Sequence, residues 1–314
     1  NAGSGTAGGS SGSNSGNNDG SSTNGGNSSN NSNSGSNTGN GDNSGSISDG
    51  AIGVFDSGVG GLTCVKELIR LMPHEDIVYL GDTARVPYGT RSRDTIAEYS
   101  RQDIRFMEQH NVKLLLVACG TVSAVMQTVP IFDGSSITCY SGVIIPAVDE
   151  ACAATKNGRI GVIATPASIR SGCYEQEIHR IRPDVEVFSQ ACAMFVPLAE
   201  NGYTAPGCAP AEFFVREYLS EIKAQGIDTL IMGCTHYPLL EDVVREFMGE
   251  GVKLISPGAV TAQQAFEALK AQNALKGEDH KAKIELYCTD SAELFAENVS
   301  RFLGGGASGA EILQ

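Results

Sequence analysis

The sequence predicts an α/β protein built from two similar parallel-sheet domains, and two observations lead to that prediction. From Ala51 onward, short apolar runs alternate with amphipathic stretches at helical spacing. This is the pattern of a parallel sheet covered on both faces. A local pattern also occurs twice, once over residues 112–121 (VKLLLVACGT) and once over residues 227–238 (IDTLIMGCTHYP). Each copy is an apolar run, a small residue, a cysteine and a nearby threonine, as expected of two related half-sites that face each other.

In chain order, the apolar runs predict strands at Ala51–Phe55, Ile77–Leu80, Leu114–Ala118, Ile160–Ala164, Val185–Ser189, Thr229–Met232 and Lys253–Ile255. The amphipathic stretches predict helices at Leu62–Met72, Asp94–His110, Val143–Ala154, Ala209–Gln225 and Ala259–Ala274. The first domain, carrying Cys119, is expected to span residues 51–145 and to recover 255–314. The second, carrying Cys234, is expected to span 146–254. Residues 1–50 are almost entirely Gly, Ser and Asn. Such a stretch cannot bury enough apolar area to offset its ordering entropy, so it is expected to be a flexible tail.

Composition narrows the function. The 314-residue chain carries a net charge of −14. Three of those charges (Asp19, Asp42, Asp49) fall in the tail, which has no Lys or Arg. No basic patch stands out, so nucleic-acid binding is not expected. No apolar run is long enough to span a bilayer, and no membrane association is expected. The nine cysteines form no CxxC pair, and only five histidines are present. A disulfide framework and a zinc cluster are both poor fits, and a reducing cytoplasmic setting is expected, with most thiols acting as small buried hydrophobes.

Four segments carry candidate chemistry. Asp56-Ser57-Gly58-Val59-Gly60-Gly61 follows the first strand. It lacks the GxGxxG of a dinucleotide site. Asp56 is either a cap for the next helix or a functional acid. Gly81-Asp82-Thr83-Ala84-Arg85-Val86-Pro87-Tyr88-Gly89 follows the second strand. Its Pro-Tyr-Gly turn can hold a carboxylate on exposed N–H groups, and Arg85 is open between neutralising an acid and being a surface charge. Cys119 and Cys234 each sit where a helix is about to begin, a position at which the helix dipole lowers a thiol pKa. His236 lies within reach of Cys234, and Asp56 is the candidate partner for Cys119. Thr121 and Thr235 offer donors to the α-carboxylate or amine of an amino acid. A pair of thiols can take a proton from one face of a carbon and return one to the other. A single-thiol hydrolase would leave one half of the repeat idle.

At these residues the chain resembles the glutamate racemases. The resemblance runs over nearly all of 51–303 through Asp56–Leu62, Gly81–Gly89, Ala118-Cys119 with Thr121-Val-Ser, Phe195–Glu200 and, most specifically, Gly233-Cys234-Thr235-His236-Tyr-Pro-Leu-Leu240. It implies two α/β domains related by a pseudo-twofold axis with the active site between them. It also implies conversion of L- to D-glutamate for peptidoglycan without a cofactor or metal, in a homodimer. By carry-over, Cys234 takes the α-proton from L-glutamate and Cys119 takes it from D-glutamate, supported by His236 and Asp56. Ser57, Tyr88, Gly89, Thr121, Thr235 and His236 match substrate contacts, and Asp82 and Glu200 match further acids of the family site. Gly120 stands at a substrate-contacting position where many members have Asn, and Ala193 stands where Pro is often found. The nearest rival is a racemase for another acidic amino acid such as aspartate. A non-catalytic homologue would be expected to have lost a cysteine, and both are present.

Overall fold

The computed structural model describes residues 49–304 and 310–314, so nearly all of the expected tail lies outside the described residues. The strands are β1 (Ala51–Asp56), β2 (Ile77–Gly81), β3 (Val112–Val117), β4 (Tyr140–Gly142), β5 (Arg159–Ala164), β6 (Glu186–Ala191), β7 (Thr229–Met232), β8 (Lys253–Ile255), β9 (Ile284–Cys288) and β10 (Glu311–Leu313). They form one sheet in the order β10-β9-β2-β1-β3-β4 and another in the order β6-β5-β7-β8. Every pairing is parallel. The helices are α1 (Leu62–Leu71), α2 (Arg93–Glu108), α3 (Gly120–Met126), α4 (Ile144–Ala154), α5 (Pro166–Ser171), α6 (Cys173–Ile181), α7 (Phe195–Glu200), α8 (Ala209–Ala224), α9 (Glu241–Met248), α10 (Pro257–Ala271) and α11 (Ala292–Leu303). Among the described residues no helix is long and apolar enough to cross a membrane.

The continuous apolar runs arise because alternate residues of one strand enter different cores. On β3, Leu114 and Leu116 pack with Leu62, Leu68 and Phe295, while Leu115 and Val117 pack with Ile96, Ile104 and Met107 on the other face. The second sheet repeats this. Leu230 and Met232 face Val215, Leu219 and Val244, whereas Ile160, Val162 and Ile231 face Val148 and Ile178. A strand buried on both faces has no polar alternation to show, which is why these segments read as uninterrupted hydrophobic sequence.

Three strands fall outside the predicted set. β4 and β10 are three residues each and sit at sheet edges, and β9 carries Glu285 and Tyr287 in a short run. Pairing with β3, β2 and β9 defines them rather than local propensity. The short α3 is likewise set by packing of Val122 and Val125 into the core.

The return of the chain to β9 is held by a polar latch. The segment between α10 and β9 is tied to Glu75 and Asp76, which precede β2. Glu75 accepts from the Lys276 amide at 2.6 Å, and Asp76 accepts from Lys276 Nζ at 2.8 Å, His280 Nε2 at 2.9 Å and the Lys283 amide at 2.7 Å. Burial works against the Asp76 carboxylate, but these donors outweigh it and hold its pKa at about 2. Behind the latch, Lys113 Nζ meets Glu75 Oε2 at 2.6 Å, each side chain only 2% exposed, and also donates to the Ala274 carbonyl at 2.8 Å. Removing one member of a buried ion pair strands the other in the interior. Lys113→Met is therefore expected to cost about 3–5 kcal/mol in chemical denaturation. Lys113→Met with Glu75→Leu should recover most of that loss, and a double variant no more stable than the single would show that the pair is not coupled.

Candidate active site

The carboxyl ends of the strands from both sheets open onto one cavity of about 370 Å³. Ligands of parallel α/β sheets gather at such ends. The first sheet delivers Asp56, Ser57 and Gly58 after β1, residues 86–90 after β2, and Cys119, Gly120 and Thr121 after β3. The second delivers Thr165–Ser168 after β5, Val196 and Glu200 from α7, and Gly233, Cys234, Thr235 and His236 after β7.

On the first side, Asp56 is 2% exposed and its Oδ1 accepts from the Gly58 amide at 2.9 Å. It does not cap α1, whose N-cap is Gly61 without a side-chain hydrogen bond. Burial raises the Asp56 pKa, and the His236 charge and the Gly58 and Gly61 amides only partly offset this. Cys119 is the N-cap residue of α3, and its thiol donates to Ser57 Oγ at 3.2 Å. Its pKa is pushed up to about 12, first by burial and then by the Asp56 charge. The start of α3 does act in the expected direction, through the Val122 amide, but desolvation of the thiolate in a closed site outweighs it. Asp56 acts on Cys119 through space, and the direct partner is Ser57.

On the second side, no helix begins at Cys234. A short 3-10 turn (Tyr237–Leu240) intervenes before α9. The polarising group is His236 instead. Its Nδ1 lies 3.8 Å from Cys234 Sγ, and its Nε2 lies 2.9 Å from Glu200 Oε1. The ring also stands edge-on to Phe302 of α11, 5.6 Å between centroids. Burial disfavours the imidazolium, yet the contacts with Cys234 and Glu200 and the Asp56 charge outweigh it and raise the pKa from 6.5 to about 10. The two thiols therefore differ. Cys119 is a closed-in proton donor, and Cys234 stands beside an imidazolium that can exchange a proton with it.

Of the residues singled out in the sequence, Asp56, Ser57, Tyr88, Gly89, Cys119, Gly120, Thr121, Glu200, Cys234, Thr235 and His236 all line the cavity. Asp82 does not. It is fully buried behind the wall, where it accepts from Tyr88 Oη and from Thr289 Oγ1 at 2.8 Å. At Gly120 a Cβ would stand 3.3 Å from the Gly233 carbonyl oxygen, a tight contact, and 4.0 Å from Ser168 Oγ, so a side chain here would press on the facing sheet. Sequence reasoning missed Thr165-Pro166-Ala167-Ser168 and Arg170. The signal was present. Thr165 caps α5 by accepting from the Ser168 amide, with Pro at the first turn, directly after β5. A capping signature at a predicted strand's carboxyl end marks a site-facing loop.

Two parallel sheets whose carboxyl ends share one cavity, with a cysteine from each lining it, are the arrangement of a two-domain α/β racemase fold. The chain belongs to the Asp/Glu/Hydantoin racemase family, whose model matches residues 52–265. It is 45% identical over 260 residues to a glutamate racemase from Geobacter metallireducens, spanning 81% of this chain and 93% of that protein. Among solved structures it is similar to a glutamate racemase isoform from Bacillus anthracis (TM-score 0.77, 35% identity, 84% of this chain and 97% of that one). It is also similar to the Francisella tularensis glutamate racemase in complex with D-glutamate (TM-score 0.75, 35% identity, 85% and 98%).

A group whose pKa is raised on folding stabilises the fold fully below its unfolded value and loses that contribution as pH rises through the folded value. His236 should therefore stabilise the protein below pH 6.5 and cease to do so above about 10. Glu200→Gln is expected to lower the His236 midpoint, read by NMR of the ring, and to destabilise the protein most on the acid side of that window. A midpoint unmoved by the substitution would remove Glu200 from the pairing.

Proposed function

We propose that this protein interconverts L- and D-glutamate by a two-base mechanism using Cys234 and Cys119. The observation that carries the reading is the convergence of one cysteine from each sheet on a single cavity. In the L-to-D direction, Cys234 as thiolate removes the Cα proton, so the C–H bond breaks and an S–H bond forms. The electron pair stays on Cα, conjugated with the carboxylate. Cys119 then donates its S–H proton to the opposite face and is left as thiolate. The reverse direction exchanges the two roles. His236 passes protons to and from Cys234, while Asp56 and Ser57 govern when Cys119 holds its own. The Pro87-Tyr88-Gly89 turn, Gly120, Thr121 and Thr235 receive the substrate's carboxylates and amine. No cofactor takes part in this scheme. In this reading the D-glutamate is made in the cytoplasm and feeds peptidoglycan; what the similarity itself supports is the glutamate racemase activity.

The purified protein should abolish the circular dichroism of an L-glutamate solution with nothing added. A flat response to glutamate together with decay of aspartate would transfer the substrate assignment to aspartate.

Cys119→Ser and Cys234→Ser should each lower racemisation by about 10²–10⁴-fold, the range for losing a positioned acid or base. In D2O, each variant should retain Cα exchange with at most one enantiomer. Near wild-type turnover by either variant would rule out the two-base scheme.

A further inference from the structure

Behind the wall formed by residues 86–90 lies a buried polar cluster that Tyr88 joins to the cavity and whose acids the proposed chemistry does not use. Asp82, Tyr88 and Asp103 are 0%, 1% and 2% exposed. Asp103 lies on α2, and Tyr88 lies on the segment after β2. Arg85 bridges the two acids, with Nε 2.5 Å from Asp82 Oδ2 and Nη2 3.0 Å from Asp103 Oδ1. Its guanidinium also reaches Gln102 and lies 4.4 Å over the Tyr99 ring, both on α2. Tyr88 Oη touches both acids, Asp82 Oδ2 in a short contact and Asp103 Oδ2 at 3.1 Å.

Counting hydrogens decides how this cluster is held. Asp82 accepts from Tyr88, from Arg85 and from Thr289, whose oxygen is itself fixed by the Ala84 amide at 3.0 Å. A phenol has one hydrogen for the two carboxyl groups it touches, and Asp82, which Arg85 and Thr289 also hold as an acceptor, is the acid that takes it as a carboxylate. Asp103 Oδ2 then faces an oxygen that has nothing left to donate. Two oxygens 3.1 Å apart without a hydrogen between them repel, and leaving such a pair buried is costly. The arrangement is satisfied when Asp103 carries the proton and donates it to Tyr88.

We propose that Asp103 is a positioning residue: as a carboxylic acid it donates to Tyr88 and, together with Arg85, braces the 86–90 segment that walls the substrate cavity. Burial first, and then the Asp82 charge, push its pKa up to about 7 against the Arg85 charge. The other charged or titratable groups around it are Asp56, farther off, and Tyr287 and Cys288 across an adjoining cavity of about 330 Å³. That cavity is also lined by Arg85, Gln102 and Asp103. Loss of the proton turns the Tyr88 contact from attraction to repulsion and loosens the wall that contains Tyr88 and Gly89.

The kinetic consequence rests on the glutamate reading, whereas the proton on Asp103 does not, so two measurements separate them. With glutamate, KM of the wild type should rise about three- to tenfold between about pH 6 and pH 8.5, with a smaller change in kcat. Asp103→Asn keeps a donor at every pH and should flatten that rise. An asparagine variant with the wild-type KM profile would overturn the proposal. Independently of any substrate, difference infrared spectra of protein labelled with ¹³C-carboxyl aspartate should show a carboxylic-acid carbonyl band that fades as pH rises through about 7. Its absence at pH 6 in the wild type would overturn the proposal even if Asp103→Asn failed to fold.

Discussion

The contact on which the site depends is the close approach of the loop after β1 to the loop after β7. At Gly60 there is no room for a methyl group: a Cβ would fall 2.2 Å from Thr235 Oγ1 and 2.5 Å from His236 Nδ1. Nearby, Thr63 Oγ1 donates to the Thr235 carbonyl at 2.9 Å. This seam brings Asp56 and Ser57 of one sheet and Cys234 and His236 of the other to a common cavity. It also lets the Asp56 and His236 charges act on each other in a poorly screened interior. A side chain at residue 60 would collide with Thr235 and His236, where the two sheets meet beside the cavity.

The seam joins two halves that are alike in backbone plan and unlike in electrostatics. Cys119 is closed in, held by Ser57 and kept protonated by burial beside Asp56. Cys234 faces an imidazole fixed from behind by Glu200 and Phe302. The proposed two-thiol scheme needs one thiolate and one thiol at the start of each turnover, and unequal surroundings would set that starting state. His236 and Asp56 then give each thiol a neighbour whose charge follows its protonation.

The polar groups outside the cavity have a structural logic of their own. The latch of Glu75, Asp76, Lys113 and Lys276 holds the segment that leads into β9, and β9 in turn carries Thr289 to Asp82. The C-terminal return is thereby linked to the wall of the site through Asp82 and Tyr88. Asp82 thus stands behind Tyr88 and away from the cavity surface.

The sequence by itself determined the parallel α/β class, because strands buried on both faces show as uninterrupted apolar runs. It also determined the two cysteine half-sites and most of the cavity lining, because βα loops in such folds place their residues at strand ends. Only the tertiary structure decided the rest. The edge strands β4 and β10 and the inserted β9 exist through pairing with distant strands. The pKa of Cys119 follows from its burial among residues brought together from β1, β2 and β3 and from the nearby Asp56 charge, which no local pattern encodes. The pairing of His236 with Glu200 joins residues 36 positions apart. The Asp82–Tyr88–Asp103 cluster joins α2 to the loop after β2, and its shared hydrogen can be counted only once three oxygens are known to meet.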